Sequence, residues 1–385
     1  MDLKKILLVA ASLRIGGMER VLVDIANALV SREYDVTIIT YEESGEENFI
    51  GELNKKIKFY YRKPREFRFR KKLPYFHRYY RPNKWETRCS PKDLYRYYVG
   101  GKIKYDVEIA FCRGPAVKII NGSTNTKSKK LTWVHNDYKL INQKTITKYF
   151  DSLESTIKAY EVFDKIIAVS DQAGRIFNEV IGYPEKTITI YNMIDVNLIN
   201  KKKELPCLVE KKRFTFISVA RLIPAKGHDK LLRVVKRLND EGYQFDLWIL
   251  GTGENCEHEI KIKKYAEENG LTNVYFFGRQ TNPYCFMNQA DVYICTSHIE
   301  GFSISIAEAM ACGLPVISTR CTGPTEILEN GKNGILIDCK EEEIYRVMKK
   351  AINNPESLNL YKEKSLERSK FFSEEQIINK IISLF

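Results

Sequence analysis

The chain has 385 residues, 44% of them hydrophobic and 29% charged, with a formal net charge of +13. That length exceeds what one core normally organises, so two domains are expected. No apolar run approaches the ~18 residues of a membrane span, and the opening run at 6–11 is too short for a secretory leader and reads as a strand. The nine cysteines form no CxxC pair and several lie in apolar runs, which fits a reducing compartment without structural zinc.

Residues 4–12 read as a strand, 13–17 as a turn ending in Gly16-Gly17, and 18–31 as a helix with Val21, Leu22, Ile25, Ala26 and Leu29 at helical spacing. A second strand follows at 36–40. The glycine pair leaves backbone open to close approach by a ligand, although a plain tight turn also explains it. The unit lacks G-x-G-x-x-G, which argues against hydride transfer. A short strand is expected near 57–61. Residues 62–92 then carry twelve Lys or Arg against two Glu, with seven aromatic residues. This stretch has no clean period and reads as an insertion of short helices and loops. Its composition suits an anionic membrane or a lipid-phosphate-linked acceptor. Nucleic acid is not expected, because no recognised module accompanies the charge. Strands are predicted at 105–111 and 130–134, the latter running into His135. No Cys or His lies at metal-ligand spacing from His135, so it suits a hydrogen bond to a sugar hydroxyl, or a structural role. A helix at 152–163, a strand at 165–169, a helix at 172–181 capped by Ser170-Asp171, and a strand at 187–191 complete the first half.

Residues 192–212, with Lys201-Lys202-Lys203 and Pro206, read as a linker. The pattern then restarts: strand 214–219, turn 220–227, helix 228–241, strand 245–250, the turn Gly251-Thr252-Gly253-Glu254, helix 256–269, strand 274–277, and Gly278-Arg279. Strands at 292–295 and 315–317 flank a short helix with small hydroxyls at its start and a glycine after its end. Thr322-Gly323-Pro324-Thr325-Glu326 reads as a turn opening a helix, with Glu326 in the first turn. A turn and strand at 331–338 and helices at 341–353 and 373–384 follow, the last amphipathic through Ile377, Ile378, Ile381 and Ile382. The repeated β-α-β order predicts an α/β fold of two doubly wound parallel-sheet domains.

Such sheets bind ligands beyond the carboxyl ends of their strands. Phe302, Ser303 and Ile304 open the short helix there, where unpaired amides suit a diphosphate. Glu300 stands before that helix and Glu308 inside it. Glu308 is flanked by apolar residues and needs a partner to offset its desolvation, which sugar hydroxyls of a nucleotide would supply. Arg221 and Lys226 follow a strand and place two cations where charge on a leaving diphosphate grows. The turns at Gly251, Gly253 and Arg279 border the same mouth and suit closure over a base and phosphates. Solvated acids, a basic loop and simple turns are the plainer alternatives.

Together these residues resemble the GT-B glycosyltransferases of the large retaining family 4, which holds many bacterial polysaccharide and lipopolysaccharide transferases. The most specific match is Glu300 to Glu308, an E-x7-E pattern followed by Ala309-Met310-Ala311-Cys312-Gly313-Leu314-Pro315-Val316-Ile317. Arg221 with Lys226 is the second, and Gly16-Gly17 and His135 are supporting matches. The resemblance covers nearly the whole chain. It implies two Rossmann-like domains facing across a deep cleft: an acceptor-binding domain over 1–194, a nucleotide-sugar-binding domain over 195–370, and a helix over 371–385 crossing back to the first. By that resemblance Glu300 contacts the donor sugar, Glu308 holds the ribose hydroxyls, Arg221 and Lys226 bind the diphosphate, Gly16 and Gly17 approach phosphates and sugar, and His135 assists near the transferred sugar.

The implied reaction moves a hexose-type unit from a nucleoside-diphosphate sugar to a hydroxyl of a saccharide acceptor, lipid-linked or part of a cell-envelope glycan. UDP is the expected nucleotide, as the family's commonest. The anomeric configuration is kept. A double displacement would need a carboxylate nucleophile, which the sequence does not place; the resemblance implies same-face attack, the leaving phosphate helping to take the acceptor's proton. No D-x-D lies at a strand end, so no metal and no other cofactor is expected. The expected location is cytoplasmic, peripheral on the inner face of the membrane through 62–92, which is not part of the shared signature. The rival readings are a sugar-nucleotide epimerase or other non-transferring GT-B enzyme, and a non-enzymatic polyanion-binding protein.

Overall fold

The computed structural model describes residues 3–63, 85–101, 103–135, 138, 143–207, 209–253 and 256–385. Most of the basic aromatic insertion, together with Asn136-Asp137 and Glu254, lies outside the described residues. Contacts gather the chain into two compact units, one reaching to Tyr191 and including Ile378–Phe385, the other spanning Asn192–Ile377.

The first unit is built on a parallel sheet of strands β1 (Lys5–Ala10), β2 (Asp35–Thr40), β3 (Lys58–Tyr61), β4 (Val107–Ala110), β5 (Lys129–Val134), β6 (Lys165–Ala168) and β7 (Thr187–Thr189). Their order is β3-β2-β1-β4-β5-β6-β7. Leu7 pairs with Thr37 on one side and Glu108 on the other. Ile6 to Val9 are fully buried, as a continuous apolar run must be when helices cover both faces of a parallel sheet. The core joins Leu7, Val9, Ile39, Ala110, Val134 and Ile166 to Phe163 and Phe177. At the chain's end, the ring of Phe385 stands edge-on to Tyr34, 5.6 Å between centroids.

The second unit repeats the plan with β8 (Thr215–Val219), β9 (Asp246–Leu250), β10 (Val274–Gly278), β11 (Val292–Cys295), β12 (Val316–Thr319) and β13 (Ile335–Ile337). The order is β10-β9-β8-β11-β12-β13, again parallel. Phe216, Leu247, Ile249, Ile294 and Ile317 form its centre. In each sheet the chain builds outward from the first strand in one direction, then returns to fill the other side. The reversals fall between β1 and β4 and between β8 and β11. At such switch points the loops leaving adjacent strands diverge, opening a crevice at the carboxyl ends.

Several helices were not expected from the sequence: Pro91–Tyr98, Pro115–Asn121, Val196–Lys203, Tyr284–Gln289 and Asn359–Ser369. Val196–Lys203 replaces the predicted linker. Asp195 caps it by accepting from the Leu198 amide at 2.8 Å, and three lysines close it, where positive charge favours a helix C-terminus. The helix expected over 152–163 is shorter, Leu153–Lys158, opened by a reciprocal cap between Ser152 and Ser155. Glu326 is not in the opening turn of its helix; it is the fifth residue of Thr322–Ile327. Among the described residues no helix is long and apolar enough to cross a membrane.

Candidate active site

Two loops meet at the β8/β11 switch point. The loop after β8 carries Arg221, then a single turn Pro224–Lys226, then Gly227. The loop after β11 carries Thr296, Ser297, His298 and Glu300. The His298 amide donates to Ala225 O at 2.8 Å, and Thr296 Oγ1 lies 3.2 Å from both Lys226 O and Gly227 O. Gly227 has φ 68°, and a Cβ there would collide with Thr296 O, so only glycine closes this seam. With the backbones held, Lys226 Nζ donates to Glu300 Oε1 at 2.6 Å and Ser297 Oγ donates to the same oxygen at 2.8 Å. The two charged side chains are only 16% and 11% exposed. A pair this buried is costly to break from one side, roughly 3–5 kcal/mol. Arg221 is exposed, and its guanidinium has no ion-pair partner among the described residues.

The helix Ile304–Ala311 starts beside this pair. Alternating alanines make it a strong helix former, and all its residues from Ile306 on are buried. After Cys312, Gly313 turns left-handed at φ 81° and the Leu314 amide donates back to Ala309 O at 3.0 Å, a glycine-terminated helix end. Its beginning is unusual. Ser303 takes φ 79° without being glycine, its side chain caps nothing, and its buried Oγ has no hydrogen-bond partner among the described residues. An unsatisfied buried hydroxyl costs about 1–3 kcal/mol. The first amides of the helix also lack intrahelical acceptors and carry partial positive charge. Strain, an orphan donor and free amides thus coincide at one point. Phe302 is turned into the core, its ring 5.4 Å edge-on to Phe372, so its backbone rather than its ring is what it can offer a ligand. Gly323 N donates to Glu300 O at 3.2 Å, tying the next helix to this loop.

Glu308 is 9% exposed, and Tyr284 OH donates to its Oε1 at 2.8 Å. Tyr293, on β11, donates from its hydroxyl to Val219 O at 3.1 Å and meets Ser305 Oγ at 2.7 Å, joining β8 to the helix start. The turns after β9 and β10 are paired too: Gly251 N donates to Gly278 O at 2.7 Å, and Gly253 N donates to Glu259 Oε2 at 2.8 Å. Arg279 follows directly and is half-buried.

In the first unit, Gly16 precedes the helix Gly17–Ser31 with extended backbone, just past the end of β1. His135 follows β5. Its Nε2 lies 3.0 Å from Phe111 O; a carbonyl only accepts, so Nε2 carries the proton. Burial pushes the imidazole down to about 4, so it is neutral near pH 7 and its Nδ1 is an acceptor. Among the described residues no group of three or more His, Cys, Asp or Glu is placed to hold a metal ion.

Two family models match this chain: the Glycosyltransferase Family 4 model over residues 15–198, and the Glycosyl transferases group 1 model over 201–368. The chain belongs to the group 1, family 4 glycosyltransferases. It is a retaining-family enzyme of GT-B fold, which sets aside the non-enzymatic rival. An uncharacterized glycosyltransferase of Haemophilus influenzae is 28% identical over 372 residues, 95% of this chain and 94% of that one. A Campylobacter jejuni protein named N-acetylgalactosamine-N,N'-diacetylbacillosaminyl-diphospho-undecaprenol 4-alpha-N-acetylgalactosaminyltransferase is 30% identical over 196 residues, about half of either chain (50% and 52%). Among solved structures, Anabaena HepE in complex with UDP-glucose superposes with a TM-score of 0.77 at 21% identity, over 99% of this chain and 100% of that one.

In this glycosyltransferase the structure brings Lys226, Glu300, Ser303 and Ile304 to one switch point, with Arg221 on the same loop as Lys226, and puts Glu308 one turn further along the helix. Gly16, Gly17 and His135 lie at strand ends of the other sheet. Sequence reasoning missed Ser297, Tyr284 and Tyr293. Ser297 was within reach, since it sits two residues past a predicted strand end.

Proposed function

We propose that the enzyme moves a hexose-type sugar from a UDP-sugar to a hydroxyl of a lipid-linked saccharide, the unit of Asn192–Ile377 taking the donor and the N-terminal unit the acceptor. The observation that carries the donor site is the orphan Ser303 hydroxyl at the opening of Ile304–Ala311, beside Lys226 and Glu300. A diphosphate there accepts from the Ser303 hydroxyl and the first helical amides. It also gives Lys226 a second anion, which frees Glu300 to turn toward the sugar. Arg221, without an ion-pair partner among the described residues, adds a cation against the charge that develops as the sugar–phosphate bond breaks. Glu308, oriented by Tyr284, accepts from ribose hydroxyls. Neutral His135 accepts a sugar hydroxyl proton at Nδ1. Retention follows from same-face attack, with the departing phosphate taking the acceptor's proton. Binding energy then goes into holding three groups in line.

UDP is supported by the fold's likeness to HepE, crystallised with UDP-glucose, and a lipid-linked acceptor by the name of the Campylobacter relative. The composition of 62–92 supports a place on the inner face of an anionic membrane. A thermal-shift panel of UDP, GDP, ADP and NAD tests the donor: UDP should raise the unfolding temperature most. A shift with NAD and none with any nucleoside diphosphate overturns it. Replacing Arg62, Lys63, Arg65, Arg68 and Arg70 by Gln should weaken binding to vesicles rich in anionic lipid at low salt while sparing UDP binding. Unchanged partitioning would end the membrane reading.

A further inference from the structure

Cys207 lies beyond the helix Val196–Lys203, and Cys285 is the second residue of Tyr284–Gln289. Their sulfurs are 3.1 Å apart, and both thiols are free. Cys285 is 5% exposed; Cys207 is only half-buried and can meet a reagent. The two segments are already fastened together: Asn282 Nδ2 donates to Lys202 O at 2.8 Å, and the Lys211 amide donates to Gln289 Oε1 at 3.2 Å. Thiols held this close by neighbouring contacts need only a small motion to reach the bonded separation of about 2.05 Å. Next to Cys285 stands Tyr284, whose hydroxyl holds Glu308 at 2.8 Å.

We propose that Cys207 and Cys285 are a modification site, a thiol pair that closes into a reversible disulfide under a disulfide oxidant and thereby weakens the hold of Tyr284 on Glu308. The second half rests on the reading of Glu308 as a donor-site residue. With oxidised glutathione, the Cys207 thiolate attacks one glutathione sulfur, the glutathione S–S bond breaks, and one glutathione thiolate leaves. Cys285 then loses its proton and attacks Cys207 Sγ, expelling the second glutathione. Two protein thiols are oxidised, one glutathione disulfide is reduced to two thiols, and the two protons released pass to the two departing thiolates. Burial and the neighbouring Cys207 sulfur push the Cys285 thiol up to about 12, so the second step is slow and quickens as pH rises. Disulfides in a reducing compartment are of this transient kind. Closure draws the first turn of Tyr284–Gln289 by up to about 1 Å, and it ends the Cys285 S–H contact to Asn282 O at 3.4 Å. A hydrogen bond from the adjacent residue is degraded by a displacement of that size.

The full chain is treated with oxidised glutathione and digested without reduction, and UDP binding is measured by calorimetry before and after. The expected result is a linked pair of peptides containing residues 207 and 285, cleaved by dithiothreitol, with UDP affinity at least about threefold weaker in the oxidised protein. Cys207→Ser should give no cross-link and no change in affinity. Nine thiols still free after treatment, separate glutathione adducts on the two cysteines, or a cross-link that leaves UDP affinity unchanged each overturn the proposal. If the reduced protein does not bind UDP, the donor-site reading fails on its own. The cross-link is then judged by mass, and the loosened contact by faster amide exchange across 304–311 in the oxidised protein, whose absence overturns that half.

Discussion

The two sheets share one winding order, yet their switch points differ in the charge they carry. At the N-terminal switch point His135 bonds Phe111 O at 3.0 Å and Tyr41 OH meets Cys112 Sγ at 3.3 Å, while Thr40 Oγ1 at the end of β2 is buried without a partner among the described residues. At the C-terminal one Ser303 Oγ is buried without a partner among the described residues, Arg221 is exposed, and Lys226 and Glu300 are locked together at 2.6 Å. A mouth with a neutral imidazole suits an uncharged partner such as a sugar hydroxyl. A mouth with spare donors and cations suits an anion. The fold supplies both mouths and distinguishes neither; the side chains at the strand ends do.

If this contrast is right, Glu300→Gln should be the most damaging change. The amide oxygen still accepts from Lys226 and Ser297, so unfolding should shift by only a few degrees. Turnover should fall about 100-fold or more, and transfer at the normal rate would remove Glu300 from the reaction.

The contrast does not extend to pH, because each unit holds a histidine kept neutral by burial. His135 and His228 are both pushed down to about 4. Their unfolded value is near 6.5, so between about 4 and 6.5 the unfolded chain binds more protons than the folded one. The stability they contribute is complete above about 6.5 and is lost as pH falls toward 4, at up to about 1.4 kcal/mol per pH unit for each. Urea melts at pH 7 and pH 5 should show the fall, and His228→Gln should flatten it. An unchanged slope would mean these imidazoles are not neutral.

The finest discrimination is between Arg221→Ala and Ser303→Ala. Each should weaken UDP binding about five- to tenfold, the worth of one charged or buried hydrogen bond. Neither should lower the unfolding temperature, and Ser303→Ala, by deleting an unsatisfied hydroxyl, should hold or raise it. A clear loss of stability in Ser303→Ala would mean that its hydroxyl already has a partner.

The strands were legible because buried parallel strands are short apolar runs cut off by glycine and polar turns; Val292–Cys295 and the helix Glu341–Asn353 appear with the bounds read from sequence. Helices that announce themselves only through tertiary contact were not. Asn359–Ser369 has little apolar periodicity and docks through Ser365, whose hydroxyl donates to Leu314 O at 2.7 Å. The site was half legible. Glu300, Arg221 and Lys226 stand in loops past strand ends, where position alone suggests a role, and Glu308 lies in the helix that follows. Tyr284 reaches Glu308 from 24 residues away, and no local pattern carries that.

The seam at Gly227 constrains how this enzyme can change. Because Thr296 O occupies the space a methyl group would need, any side chain at 227 pries the lysine-bearing loop from the glutamate-bearing one and spoils both together. Those two loops are heritable only as a unit, so divergence toward new sugars must enter through residues outside it, such as the half-buried Arg279.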